Sequence, residues 1–286
     1  RRDEESFGRH ARVAFGAEIE EDAARRDFTV NALYAEGDGS VLDPLGEGLA
    51  DLAARRVRFI GDPAARIAED RLRILRFFRF FAVIAEPGAA PDPAGLAACG
   101  VAALARERVG AEMRKLLGAE APAPAVAAMA AAGVLSRVLP GAEAAALVPL
   151  AEAEAAAGVR PDWRRRLIAL GVAPGDAAER LRLSKAEARA VAAIADAVAR
   201  PEPPAQAGYR WGAEAARDAA LLRAAREGRA PPRALTREVA RGATAKFPVS
   251  AKDLIARGAK PGPAIGHALE ALAELWIASD FKATRG

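Results

Sequence analysis

Two short stretches hold side chains whose types and spacing suit chemistry. In AEDRLRILRFFRF (residues 68–80), Glu69 and Asp70 lead into arginines at 73, 76 and 79, with Phe77, Phe78 and Phe80 among them. A carboxylate only accepts hydrogen bonds and a guanidinium only donates them. Cytosine and adenine each offer an amine donor beside a ring-nitrogen acceptor, whereas uracil and guanine present the opposite polarity. One Asp70–Arg73 pair can therefore take C and A while rejecting U and G, each mismatched buried group costing about 1–3 kcal/mol. Arg76 and Arg79 would then be free for phosphates. A plainer reading is an amphipathic helix with a solvated basic face. At about 100° per residue the arginines form an arc beside the stripe of Ile74, Phe78 and Phe81, and Asp70 pairs with Arg73 at i,i+3. From this stretch alone both readings stand.

The second stretch is EEDAARRDFTVNAL (residues 20–33), where Arg25 and Arg26 precede Asp27 at the start of an expected strand. A cation for phosphate next to a carboxylate able to hold magnesium is what a nucleoside-triphosphate site needs. A surface ion pair of little energetic worth explains the same residues.

The elements that must position these groups differ on either side of Pro63. Residues 11–17 and 27–36 alternate apolar and polar residues like short strands, EIEEDAARR between them reads as a helical turn, and residues 56–63 as a last strand. Residues 36–40 and 41–48 are turn-like. From Asp62-Pro63 a helix start runs on to about Ala85. Alanine-rich helices are expected near 93–105, 107–118, 122–132 and 142–157, then at 183–199, where Ser184 and Glu187 have capping-box spacing. Residues 200–208 read as a linker, and further helices fall near 212–227, 233–242 and 262–279. The fold class is thus α+β: a small strand-containing piece followed by an all-helical remainder.

Composition limits the alternatives. Hydrophobic residues make up 52% of the 286 and aromatics only 5%, which suits a helical globular chain better than a sandwich or barrel. Lysine supplies 6 of the 42 basic residues, the rest being arginine. Arginine's planar fork suits phosphate, while a GC-rich coding bias produces the same enrichment. Cys99 is the sole cysteine and His10 and His267 lie far apart, which argues against a disulfide or a zinc site. No run of about 18 apolar residues and no signal-peptide pattern is present, so a cytoplasmic protein without a membrane partner is expected. The basic stretches 160–170 and 235–247 can follow an RNA backbone or form solvated helix faces. Tyr209 and Trp211 beside Arg210 can stack on a base or pack in a core. GAKPGPAIG (258–266) is a turn and cap, or a phosphate-facing helix start.

Taken in order and about 43 residues apart, the two motifs resemble the class II nucleotidyltransferases, the bacterial tRNA CCA-adding enzymes and their poly(A) polymerase relatives. RRDFTVNAL is similar to that family's Arg-Arg-Asp-Phe-Thr-x-Asn motif, and EDRLRILRFFRF to its Glu-Asp-x-x-Arg motif. The segment 39–73 between them follows the family's Asp-Pro turn, Asp-Leu and Gly-Asp-Pro, with Glu47 standing where a second glycine is usual. Residues 9–86 carry most of the resemblance and 245–278 some of it.

The resemblance implies a partial α/β nucleotidyltransferase head over 1–62, a helical neck with a nucleotide-template helix over 63–140, and a helical, RNA-binding body and tail over 141–286. It implies addition of CMP and AMP from CTP and ATP to a tRNA 3′ end, with Mg2+ and without a nucleic-acid template. Poly(A) addition and a non-catalytic RNA-binding remnant are the alternatives. Carried over by position, Arg26 contacts the triphosphate, and Asp70 and Arg73 pair with the incoming base. Arg76 and Arg79 support the phosphates or the template helix, Asp27 is a third carboxylate near the metal, and Asn31 positions ribose or backbone. The family's Gly-Gly-x-x-Arg-Asp loop and metal-binding Asp-x-Asp pair are absent from these 286 residues. The expectation is therefore an N-terminally truncated member that does not catalyse transfer by itself.

Overall fold

The computed structural model describes residues 2–7, 10–14, 19–86, 89–101 and 108–282. Strand β1 (Arg2–Phe7) pairs antiparallel with β2 (His10–Ala14), Phe7 opposite His10. The strand read from the sequence at 11–17 is thus part of β2, and residues 15–17 lie outside the described ones. Helix α1 (Ile19–Ala24) follows.

The strand expected over 27–36 does not form. Phe28 makes an isolated antiparallel bridge to Phe59, Thr29–Asn31 closes into a 3-10 turn, and only Tyr34–Ala35 (β3) pairs with Val41–Leu42 (β4). Side chains explain the interruption: the Thr29 hydroxyl donates to Asp51 (2.7 Å) and the Asn31 amide to Asp27 (2.8 Å). Short polar side chains at such positions compete with ladder bonds and favour turns. Likewise 56–63 contributes only the Phe59 bridge, with the Thr29 amide donating to the Arg58 carbonyl and the Ile60 amide to that of Asp27.

Helix α2 (Gly48–Ala53) follows a turn at Gly46, whose φ of +69° favours glycine. Glu47 has ordinary right-handed dihedrals, so its position needs no glycine. Gly48 does: a Cβ there would lie 2.6 Å from the Thr29 carbonyl oxygen.

The single helix expected from 63 to 85 is two. Helix α3 (Pro63–Glu69), capped by the Asp62 carboxylate on the Ala65 amide (2.7 Å), ends at Asp70, which is extended at φ −146°, ψ 105°. The Asp70 carboxylate accepts from the Leu72 amide (3.0 Å), two residues on, and holds the turn that leads into α4 (Arg73–Ile84). Ile74, Leu75, Phe77, Phe78, Phe81 and Ala82 form its buried face. Phe77 meets Phe28 (6.1 Å between ring centroids) and Phe59 (5.5 Å), and these two rings also meet each other (4.8 Å).

Beyond this the chain is helical: α5 (Pro93–Val101), α6 (Val109–Leu117), α7 (Ala123–Ala131), α8 (Val134–Val138) and α9 (Leu147–Ala157, after a 3-10 turn at Ala144–Ala146). Then come α10 (Trp163–Ala169), α11 (Pro174–Arg180), α12 (Lys185–Ala199), α13 (Pro204–Arg226), α14 (Leu235–Thr244), α15 (Ala251–Ala256) and α16 (Pro263–Ala278). Helices α2, α8, α11 and α15 are not among the expected ones. The expected linker 200–208 already contains the start of α13, which kinks at Gly212 (φ 80°). The chain divides into two compact units, 1–148 with 161–184, and 149–160 with 185–286.

The basic stretch 160–170 is neither a solvated face nor an open RNA track at its centre. Arg165 and Arg166 are buried, and Arg166 donates to the carbonyls of Leu117 (2.8 Å) and Ala119, terminating α6. In the second unit Tyr209 packs against Trp276 (5.5 Å), which also meets Phe247 and Phe281, while Arg210 pairs with Glu202 and Glu274.

Helices α13 and α14 touch through glycines. A Cβ on Gly242 would sit 1.7 Å from the Ala205 carbonyl oxygen, and one on Gly208 2.2 Å from that of Val239. Gly242→Ala is expected to cost about 2 kcal/mol by overpacking, read as a lower denaturant midpoint with the slope unchanged.

Candidate functional site

The Arg25-Arg26-Asp27 segment leaves α1 in a turn, where Asp22 collects donors. Its Oδ2 accepts from Arg26 Nε (3.1 Å), Arg26 Nη2 (2.8 Å) and the Tyr34 hydroxyl (2.6 Å). The Arg26 guanidinium also lies over the Tyr34 ring, 5.5 Å from its centroid. The Tyr34 hydrogen bond, then that of Arg26, holds the Asp22 carboxyl below its ordinary pKa.

Asp27, expected as a third carboxylate beside a metal, is buried and engaged by protein donors. Oδ1 accepts from the Phe28 amide (3.1 Å) and Asn31 Nδ2 (2.8 Å), and Oδ2 from Arg76 Nε. Asn31 thereby positions the turn through Asp27. Burial alone would lower the Arg76 pKa, but the hydrogen bond and charge of Asp27 outweigh it and the net direction is up. Arg79 donates to the buried Glu112 (2.6 Å) and covers the Phe80 ring at 4.3 Å. The arginine arc is therefore not a solvated face, and neither Arg76 nor Arg79 is free. Each ties α4 to a neighbour through a buried carboxylate.

Asp70 and Arg73 flank the break between α3 and α4, so the helical-wheel placement that started at Asp70 does not hold. Asp70 Oδ1 takes the Leu72 amide, and both its oxygens face Arg108 Nη2 (3.1 and 3.0 Å). Arg73 pairs with Glu69 rather than Asp70 and donates to the carbonyls of Arg66 (2.8 Å) and Arg25 (3.3 Å). Arg66 in turn donates to the carbonyls of Ala24 (2.6 Å) and Arg26. The two motifs are thus brought together through the backbone. Arginines of the α3–α4 joint hold the carbonyls of the Arg-Arg-Asp turn.

Sequence reasoning passed over several residues that build this arrangement. Asp22 was visible as an i,i+4 partner of Arg26. Asp51 is fully buried and joins Thr29, Arg56 (2.8 Å) and Arg58 (3.0 Å). Arg108 and Glu112 lie more than thirty positions from Asp70 and Arg79, and no local pattern links them.

Nucleotidyltransferases generally work with a divalent metal. Among the described residues no three His, Cys, Asp or Glu side chains converge on a point that could hold one, so they do not fit a metal site. Also among the described residues, no helix is long and apolar enough to cross a membrane.

Comparison with known proteins agrees with this architecture. Residues 1–58 match the family model described as Poly A polymerase head domain, and residues 97–146 that described as Probable RNA and SrmB- binding site of polymerase A. The CCA-adding enzyme of Limosilactobacillus fermentum is 32% identical over 97% of this chain and 74% of its own length. The human mitochondrial CCA tRNA nucleotidyltransferase 1 is 41% identical over 38% of the chain. That match spans 26% of the human enzyme, and the corresponding match spans 28% of the zebrafish one. The crystal structure of the Bacillus stearothermophilus CCA-adding enzyme in complex with CTP superposes with a TM-score of 0.71 at 26% identity, covering 93% of this chain and 71% of that one. Fold and motifs together define a class II nucleotidyltransferase. Within that class, the chain belongs to the CCA-adding enzyme family.

Proposed function

We propose that this chain serves CCA addition, the transfer of CMP and AMP from CTP and ATP to the 3′ end of tRNA. In this reading no nucleic-acid template is used. The carrying observation is the linkage of the Arg25-Arg26 turn to the Asp70–Arg73 joint through Arg66 and Arg73. This linkage supports the reading because it joins the turn carrying Arg26, the proposed phosphate-binding cation, to Asp70 and Arg73, the proposed base-reading pair.

Asp70 accepts from the amine of C or A, and Arg73, once released from Glu69, donates to the adjoining ring nitrogen. Arg26 takes the triphosphate. Asp27, Arg76, Arg79 and Glu112 hold the turn and α4 in place. No ligand set for the Mg2+ that such transfer uses lies among the described residues. The proposed compartment is the cytoplasm.

The test offers the protein each of the four nucleoside triphosphates with a tRNA lacking its last three nucleotides. The reading expects CTP and ATP to be bound in preference to UTP and GTP. Repeated addition of ATP alone would instead assign poly(A) synthesis. Salt-dependent tRNA binding without nucleotide discrimination would assign an RNA-binding role.

A further inference from the structure

We propose that Asp22 and Tyr34 are positioning residues that aim Arg26 at the triphosphate, an inference that rests on the functional reading above. Arg26 needs them because its exposed side chain leaves a short turn just past the end of α1, and a free guanidinium there samples many rotamers. Asp22 removes that freedom by taking one edge of the fork, Nε and Nη2, on a single oxygen. Tyr34 fixes Asp22 by donating to the same oxygen, and its ring lies under the guanidinium. The Arg26 carbonyl is held independently by Arg66. What remains is Nη1 and one N–H of Nη2, which the Asp22 carboxylate does not take. That opposite edge is the one a phosphate meets with two parallel bonds.

A carboxylate beside a phosphate-binding arginine also repels the phosphate, so positioning and repulsion have opposite signs. If Asp22 acted on the ligand only through its charge, removing it would tighten CTP binding. If it acts by aiming Arg26, removing it weakens binding despite the lost repulsion.

The experiment measures equilibrium binding of CTP and CMP to the full chain and to D22A, D22N, Y34F and R26A, with thermal unfolding of each as a control. D22A is expected to weaken CTP about tenfold, equal to about 1.4 kcal/mol, and to change CMP by less than about twofold. D22N keeps one acceptor and falls between, and Y34F weakens CTP about threefold. Unchanged or tighter CTP binding by D22A and D22N would overturn the positioning role, as would equal losses for CTP and CMP. If D22A does not fold, Y34F decides between the same two outcomes, because it leaves the charge in place. Unchanged CTP affinity in R26A would instead overturn the assignment of Arg26 to the triphosphate.

Discussion

Replacing Asp70 with alanine is expected to reduce the preference for CTP and ATP over UTP and GTP by about 10- to 100-fold. Discrimination in the proposed reading rests on polarity. The carboxylate can only accept, so uracil and guanine place an acceptor against it and leave two buried lone pairs facing each other. Alanine removes the acceptor and with it the penalty on the wrong bases. The break in the helix makes the residue stiff enough to read. Oδ1 is held by the Leu72 amide at 3.0 Å and both oxygens by Arg108, so the carboxylate plane is set before a base arrives. The variant also loses the hydrogen bond from the Leu72 amide that holds the turn before α4, which costs about 1 kcal/mol. Asp70→Asn separates the two effects, because it keeps an oxygen for Leu72 while adding a donor. Its expected outcome is a shift toward UTP and GTP with less loss of stability. The measurement is the affinity of all four nucleotides for each variant, and an unchanged ranking in both would remove Asp70 from base selection.

Asp51→Ala carries the largest expected loss of stability, about 3 kcal/mol. Asp51 has no exposure and satisfies the Thr29 hydroxyl, Arg56 and Arg58 together. Its removal buries an unsatisfied hydroxyl and frees the turn that presents Asn31 to Asp27. Arg56 and Arg58 reach water, which keeps the cost at the lower end for a broken buried pair. The same residue sets a pH dependence. Burial pushes its carboxyl up, but the hydrogen bonds from Thr29, Arg56 and Arg58 outweigh this and the net pKa lies below the ordinary 3.8. A depressed folded pKa means the contribution is complete above 3.8 and is lost as pH falls through the lower folded value. Chemical denaturation at pH 7 and across the acid range below 4 checks both points: the variant starts lower and loses less of its stability on acidification.

Much of this arrangement was legible in the sequence, and the misreadings share a cause. The motif pair and the helical remainder followed from local patterns, and the apolar stripe of α4 is where periodicity put it. The strand at 27–36 and the continuous helix at 63–85 failed because polar side chains redirected the backbone. Thr29 reaches Asp51 twenty-two residues away, and Asp70 turns back on the Leu72 amide. Neither preference is visible in alternation or in a helical wheel. Arg76 and Arg79 looked solvated because their partners, Asp27 and Glu112, lie 49 and 33 positions distant. A long-range ion pair leaves no periodic trace.

The phenylalanine cluster under the site bears on how such a chain can change over time. Phe28 and Phe59 come from the strand-containing piece and Phe77 from α4, yet they share one set of ring contacts, and Gly95 of α5 closes against both Phe59 and Phe77. A boundary drawn at residue 62 passes through this core. The two segments are therefore bound to a common inheritance. A change in ring size at 28 or 59 has to be answered at 77 or 95, and swapping either segment alone between relatives would join rings that had not diverged together.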